Sequence, residues 1–125
     1  MTIALWCVLA AMLMPFVFSS AAKFGGEGRY NNYKPRDFLD KLEGWQKRAH
    51  WAQLNTFEAF PPFAAAVLIA EMLNAPQNQV DGLAVAFIVL RILYGVAYLA
   101  NKAPLRSLIW TGAFGCVVGL FVVSA

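Results

Sequence analysis

The sequence predicts an all-α integral membrane protein, a four-helix bundle forming one domain over residues 1–125, and three observations predict it. Apolar residues make up 60% of the 125 and charged residues only 14%, against roughly 45–50% and about 25% in soluble domains. A soluble domain this small buries only part of its surface, so it has no place for that much apolar side chain. The charges are also gathered: most of the 10 basic and 7 acidic residues lie between Lys23 and Arg48. What remains is four apolar stretches, 1–22, 49–70, 82–101 and 107–125. Each has about the 20 residues that a helix needs to cross a bilayer core. Strands of a membrane barrel would be shorter and would alternate polar with apolar.

The first helix is expected over about 1–22. It ends in Ser19-Ser20-Ala21-Ala22, but it lacks a basic n-region and exceeds a usual h-region, so it reads as a retained helix rather than a secretory signal. The loop 23–44 comes next. Its Gly25-Gly26-Glu27-Gly28 is a flexible turn, and no strand precedes it to suggest a dinucleotide site. Pro35 suits the first position of a helix, after which Phe38, Leu39, Leu42 and Trp45 fall on one side, as in a helix lying at the membrane surface. The second spanning helix is expected over 45–72. Within it Pro61-Pro62 releases the carbonyls of Phe57 and Glu58 and predicts a kink that makes room there. Helices over 82–101 and 104–124 complete the bundle. The short loops Leu73–Asp81 and Asn101–Pro104 make the last three helices antiparallel neighbours. Gly95, Ala97, Gly112, Gly115 and Gly119 permit close helix contacts.

Every basic residue except Arg91 lies in the loop after the first helix or the loop after the third, and these loops share one side of the membrane. By the positive-inside rule both face the cytoplasm and both termini face out. The net charge of +3 is therefore a topology signal, and no nucleic-acid partner is expected. With no sorting signal evident, a bacterial inner membrane is the expected location.

An ionisable group inside a spanning helix costs about 2.5–3.5 kcal/mol on the insertion scale, so it needs a partner or a task. The second helix carries His50, Gln53, Asn55 and Glu58, and the third carries Arg91. On a helical wheel Arg48, Trp51, Asn55 and Glu58 fall within roughly 80°, while His50 and Gln53 point away. Arg91 shares a stripe with Tyr94, Tyr98 and Lys102. Glu58 and Arg91 each sit about 15 Å from the cytoplasmic face, which predicts a Glu58–Arg91 ion pair, within one chain or between neighbours. Such a pair either fixes helix packing or forms the polar floor of a ligand pocket, and the two are compatible. Cys7 and Cys116 read as small packing residues, and with 2 cysteines neither a disulfide framework nor a metal cage is expected. His50 stands alone. There is no Ser-His-Asp set, phosphate loop or paired carboxylate, so any chemistry uses a bound cosubstrate.

The segment Arg48-Ala49-His50-Trp51-Ala52-Gln53-Leu54-Asn55-Thr56-Phe57-Glu58 resembles the signature of the MAPEG family, the membrane-associated proteins of eicosanoid and glutathione metabolism. That signature reads roughly E-R-x-x-R-A-x-x-N-x-x-E. Arg48, Ala52, Asn55 and Glu58 match, whereas Lys47 replaces the Glu and Trp51 replaces the second Arg. Arg91, Tyr98 and Ala103-Pro104-Leu105-Arg106-Ser107 resemble the R-x6-Y and A-P-x-R-S pieces of the prostaglandin E synthase branch, and the length resembles that of short bacterial members. The resemblance implies a homotrimer of four-helix protomers with glutathione as cosubstrate between subunits, near the cytoplasmic face. It implies that Arg48, Arg91 and Arg106 line the site, that Asn55 and Glu58 meet the amino or amide end, and that Tyr98 donates a hydrogen bond. Arg106 or Ser107 would stabilise the thiolate, since nearby positive charge or a hydrogen-bond donor lowers a thiol pKa. A lipophilic second substrate would arrive from the membrane lipid.

Two functions are open to such a chain. One is a glutathione-dependent membrane transferase or peroxidase acting on an apolar electrophile or a lipid hydroperoxide. The other is a non-catalytic member of the same fold that binds a lipid or a protein partner. A four-helix proton-coupled drug exporter also fits the length, but such exporters carry a membrane Glu in the first helix, where this chain has none. A thiol-oxidising membrane protein would want cysteine pairs at a loop.

Overall fold

The computed structural model describes residues 1–125 and is entirely helical, with α1 (Ile3–Phe24), α2 (Pro35–Asp40), α3 (Gly44–Met72), α4 (Gln77–Leu99) and α5 (Ala103–Ser124). Thr2 caps α1 by accepting from the Leu5 N–H at 3.2 Å, which satisfies one of the donors left open at a helix start. Pro35 occupies the first turn of α2 as its fixed φ allows. At the other end of α2, Lys47 Nζ donates to the carbonyls of Leu39 (3.1 Å) and Asp40 (2.7 Å). A cation there satisfies acceptors and complements the helix dipole. Leu39 is thereby buried against Ala22 and Ala49, so α2 is pinned to the end of α1 and the start of α3.

α3 and α4 end alike. Asn74 (φ 55) and Asn101 (φ 59) adopt the left-handed conformation just past each helix. Ala75 N–H then donates to the Ala70 carbonyl (3.0 Å), and Lys102 N–H to the Ala97 carbonyl (2.9 Å). These are the long bonds of the Schellman cap, and asparagine is the residue after glycine that tolerates it best. Pro76 and Pro104 come next and start the following helices in reversed direction. α4 therefore opens at Gln77, five residues before the expected 82, because Gln77–Asp81 is polar yet helical.

Three helices, α1, α4 and α5, are long and apolar enough to cross a membrane. The sequence led us to expect four. α3 has ample length, about 43 Å at 1.5 Å per residue, but His50, Gln53, Asn55, Glu58 and Glu71 reduce its apolar character. It continues through Pro61-Pro62 without ending.

α1 packs chiefly on α3 and α4 on α5, and α3 and α4 join the two pairs. Their common core is built of small residues (Ala4, Ala66, Ala70 and Ala84) around the stacked rings of Phe63 and Phe87, 3.9 Å between centroids. Large apolar side chains such as Trp6, Phe16, Val89, Leu93 and Phe121 stay exposed on the outside. In a soluble molecule that surface would be an anomaly; a lipid solvent accounts for it.

Candidate functional site

The polar residues of α3 fall on two sides of the helix. His50 is buried, with Nδ1 3.4 Å from Gln53 Oε1, and this pair lines none of the cleft. On another face Trp51, Leu54, Asn55 and Glu58 of α3 meet Tyr94 and Tyr98 of α4 around an open cleft of about 430 Å³. The spacing of 3 and 4 residues puts the α3 set on one stripe, as the wheel predicted. Tyr94 and Tyr98 touch edge to face, 5.7 Å between ring centroids. The Arg106 guanidinium lies 4.3 Å from the Tyr98 ring centroid. Arg106 and the exposed Ser107 belong to the opening turns of α5, where the dipole is positive.

Behind the cleft, Arg91 is only 1% exposed. Its Nη2 donates to Asn55 Oδ1 (2.9 Å) and to Thr56 Oγ1 (3.2 Å), and Thr56 in turn donates to the Ala52 carbonyl (2.6 Å). The guanidinium also stacks 4.2 Å from the Tyr94 ring centroid. The expected Glu58–Arg91 ion pair is not formed within the chain, whose one ion pair is Lys41–Asp37 at 3.0 Å. Glu58 instead faces outward from α3 and is exposed, while Arg91 is turned into the helix pair and takes neutral oxygen partners. Equal depth brought the two to the wall of one cavity, but not within ion-pairing distance of each other.

Arg48 is also engaged. Its Nε and Nη2 both donate to the Leu99 carbonyl, at 3.2 and 3.1 Å, so it ties the start of α3 to the last turn of α4. Trp51 is exposed, with Lys47 Nζ 5.8 Å from its ring centroid. Of the three arginines expected at the site, Arg106 alone has a guanidinium with no hydrogen-bond partner in the chain, and it stacks on Tyr98 of the cleft wall as Arg91 does on Tyr94.

A second, more enclosed cavity of about 220 Å³ lies among α3, α4 and α5. Asn55 and Glu58 line both spaces, so the two meet at one turn of α3. Thr56 and Trp110, the latter on this cavity, were not singled out from the sequence. A lone threonine or tryptophan in an apolar helix carries no signal of its own. The i, i+4 stacking of Trp110 on Phe114, 5.4 Å apart, is the one pattern that could have marked that wall.

Comparison with curated proteins and with solved structures gives no match. The chain matches the family model described as MAPEG family over residues 3–125. With that match covering nearly the whole sequence and three apolar spans beside it, the chain is an integral membrane protein and belongs to the MAPEG family.

Proposed function

We propose that the protein is a glutathione-dependent membrane transferase or peroxidase, a class of activity that the MAPEG family includes. The observation that carries this reading is the Arg106 guanidinium stacked on Tyr98 beside the open cleft. A thiol reacts as its thiolate. Arg106, Ser107 and the positive end of α5 supply the charge and hydrogen bonding that favour that form. Glu58 and Asn55 meet the ammonium or amide end of the tripeptide, and Tyr98 donates to it. Arg91 holds Asn55 from behind, and Arg48 holds the end of α4 on which Tyr98 sits. Bound glutathione would supply the electron pair of its sulfur, either to an apolar electrophile that gives up its leaving group or to a lipid hydroperoxide, whose O–O bond would break to leave an alcohol while a second glutathione takes the oxidised sulfur to the disulfide and water; the protein binds the thiolate, orients it and stabilises its charge.

The same reading makes α3 a fourth span, since its polar face looks onto a protein cleft rather than onto lipid. The working unit is then a homotrimer of four-helix protomers in a bacterial inner membrane, with loop 23–44 cytoplasmic and both termini outside. The test is an ultraviolet difference spectrum of detergent-held protein titrated with glutathione near neutral pH. A thiolate band is expected in the wild type, absent in Arg106→Ala and weakened in Glu58→Gln. No band and no calorimetric binding would sink the proposal. One observation favours a second reading, a non-catalytic member that binds a lipid or a protein partner: Trp51 stands where the family signature has a guanidinium. In that case the same calorimetry gives no glutathione heat.

A further inference from the structure

Between α1 and α2 the chain runs Arg29-Tyr30-Asn31-Asn32-Tyr33-Lys34-Pro35-Arg36, eight residues with three cations, two tyrosines and no acid. Neighbouring cations are engaged within the chain: Lys23 Nζ lies 5.0 Å from the Tyr30 ring centroid, Lys41 pairs with Asp37, Lys47 caps α2 and Arg48 holds the Leu99 carbonyl. Arg29, Lys34 and Arg36 are exposed, and their side chains have no hydrogen bond or ion pair in the chain. Of the flanking acids, Glu27 stands two residues before the run, and Asp37 directly after it is already met by Lys41. Tyr33 is 98% exposed. Its backbone is nevertheless held, since its N–H donates to Asn31 Oδ1 (3.0 Å) and the Lys34 N–H donates to the Asn31 carbonyl (3.3 Å). These bonds make an asparagine-led turn, and Pro35 follows it at the start of α2. The turn is also fixed to the bundle. Tyr30 packs edge to face on Phe24 (5.3 Å between centroids) and on Phe38 (5.2 Å), and Leu39 beside Phe38 is buried. The chain that leaves α1 is thereby brought back to the level of Phe24, where the exposed apolar side of α1 ends.

We propose that segment 29–36 is a docking surface for anionic phospholipid, with Tyr33 entering the headgroup layer and Arg29, Lys34 and Arg36 set against its phosphates. An aromatic side chain with a polar tip suits that layer. A cation beside a negatively charged leaflet strengthens attachment about fivefold, or about 1 kcal/mol, and salt screens the attraction beyond about 8–10 Å. A leaflet fits better than a soluble acidic partner, because the lipid-facing side of α1 runs to Phe24 and Tyr30 touches that ring. The headgroups are therefore beside the turn at high effective concentration. The turn is ordered before it docks, so little conformational entropy is lost on contact. This docking goes beyond the glutathione reading and is independent of it, since it uses none of the cleft residues.

The test uses full-length protein in lipid nanodiscs, with Cys7→Ala, Cys116→Ala and a dye on Gly28→Cys, where an added side chain meets open space. A small fixed share of phosphatidylcholine spin-labelled on its headgroup quenches the dye when the turn lies in the headgroup layer. Both faces of the nanodisc carry the same lipid, so the reading does not depend on which face is cytoplasmic. Replacing phosphatidylcholine by phosphatidylglycerol is expected to raise quenching to a plateau, and molar salt to reverse it. Arg29→Gln, Lys34→Gln and Arg36→Gln are each expected to lower the docked-to-free ratio about fivefold. Tyr33→Ser is expected to lower it at every lipid composition. Helicity should be unchanged throughout, because these side chains are exposed. Lys102→Gln removes the same charge from the turn between α4 and α5 and is expected to leave the ratio as it is. Quenching that ignores both phosphatidylglycerol and the three charge substitutions would overturn the proposal. If the dye then stays open to aqueous acrylamide, the turn faces water and suits an acidic macromolecule instead. A loss from Lys102→Gln equal to that from Arg36→Gln would also overturn it, by assigning the response to the field of the whole face.

Discussion

Arg91 shows how one side chain is made tolerable at membrane depth. Its charge is met by Asn55, Thr56 and the face of Tyr94 rather than by a carboxylate. Hydrogen bonds to a charged group contribute more than neutral ones, so Thr56→Val is expected to destabilise by about 1–3 kcal/mol. It should lower the thermal midpoint in detergent, and Thr56→Ser should restore it. Trp51 poses the opposite question, because it presents an aromatic surface to the cleft where the family signature has an arginine. Trp51→Arg would supply a planar carboxylate partner. It is expected to tighten glutathione binding by about tenfold, or about 1.4 kcal/mol, read by calorimetry. Unchanged affinity would mean that position 51 does not face a carboxylate of the ligand.

At the scale of the helices, close approach depends on particular small residues. A Cβ on Gly95 would overlap the ring of Phe18, which is itself buried in a cluster with Met14 and Ala52. Gly95→Ala is therefore expected to cost about 1–3 kcal/mol through overpacking, and Phe18→Leu in the same chain should recover most of it. The seam of α1 and α4 at the other end relies on Asp81, whose Oδ1 accepts from the Ala4 N–H at 2.9 Å and from Gln77 at 2.8 Å. Asp81 thus supplies, from a neighbouring helix, part of the cap that α1 needs. Asp81→Ala should lower stability by about 1 kcal/mol, the usual value of a lost cap, and should speed amide exchange in the first turn of α1.

For the whole molecule, exposed apolar surface and asymmetric charge set the relation to the bilayer. With both cysteines replaced, a single cysteine at Asn31 is expected to react with an impermeant maleimide added from the cytoplasmic side, and one at Gln79 from the outside. The reverse pattern would invert the proposed topology. The environment and the order of long helices were legible because both depend on quantities that run along the chain: apolar length and the short polar breaks in it. The stripe of Trp51, Asn55 and Glu58 was legible for the same reason, since helical periodicity alone brings them together. The partner of Arg91 was not. Residue spacing determines how deep a side chain lies in its helix. The side of the neighbouring helix it meets depends on how the two helices are rotated about their own axes, which only their packing decides. That rotation kept Glu58 beyond ion-pairing reach of Arg91, turned Arg48 onto the Leu99 carbonyl, and left Arg91 Nε buried without a partner.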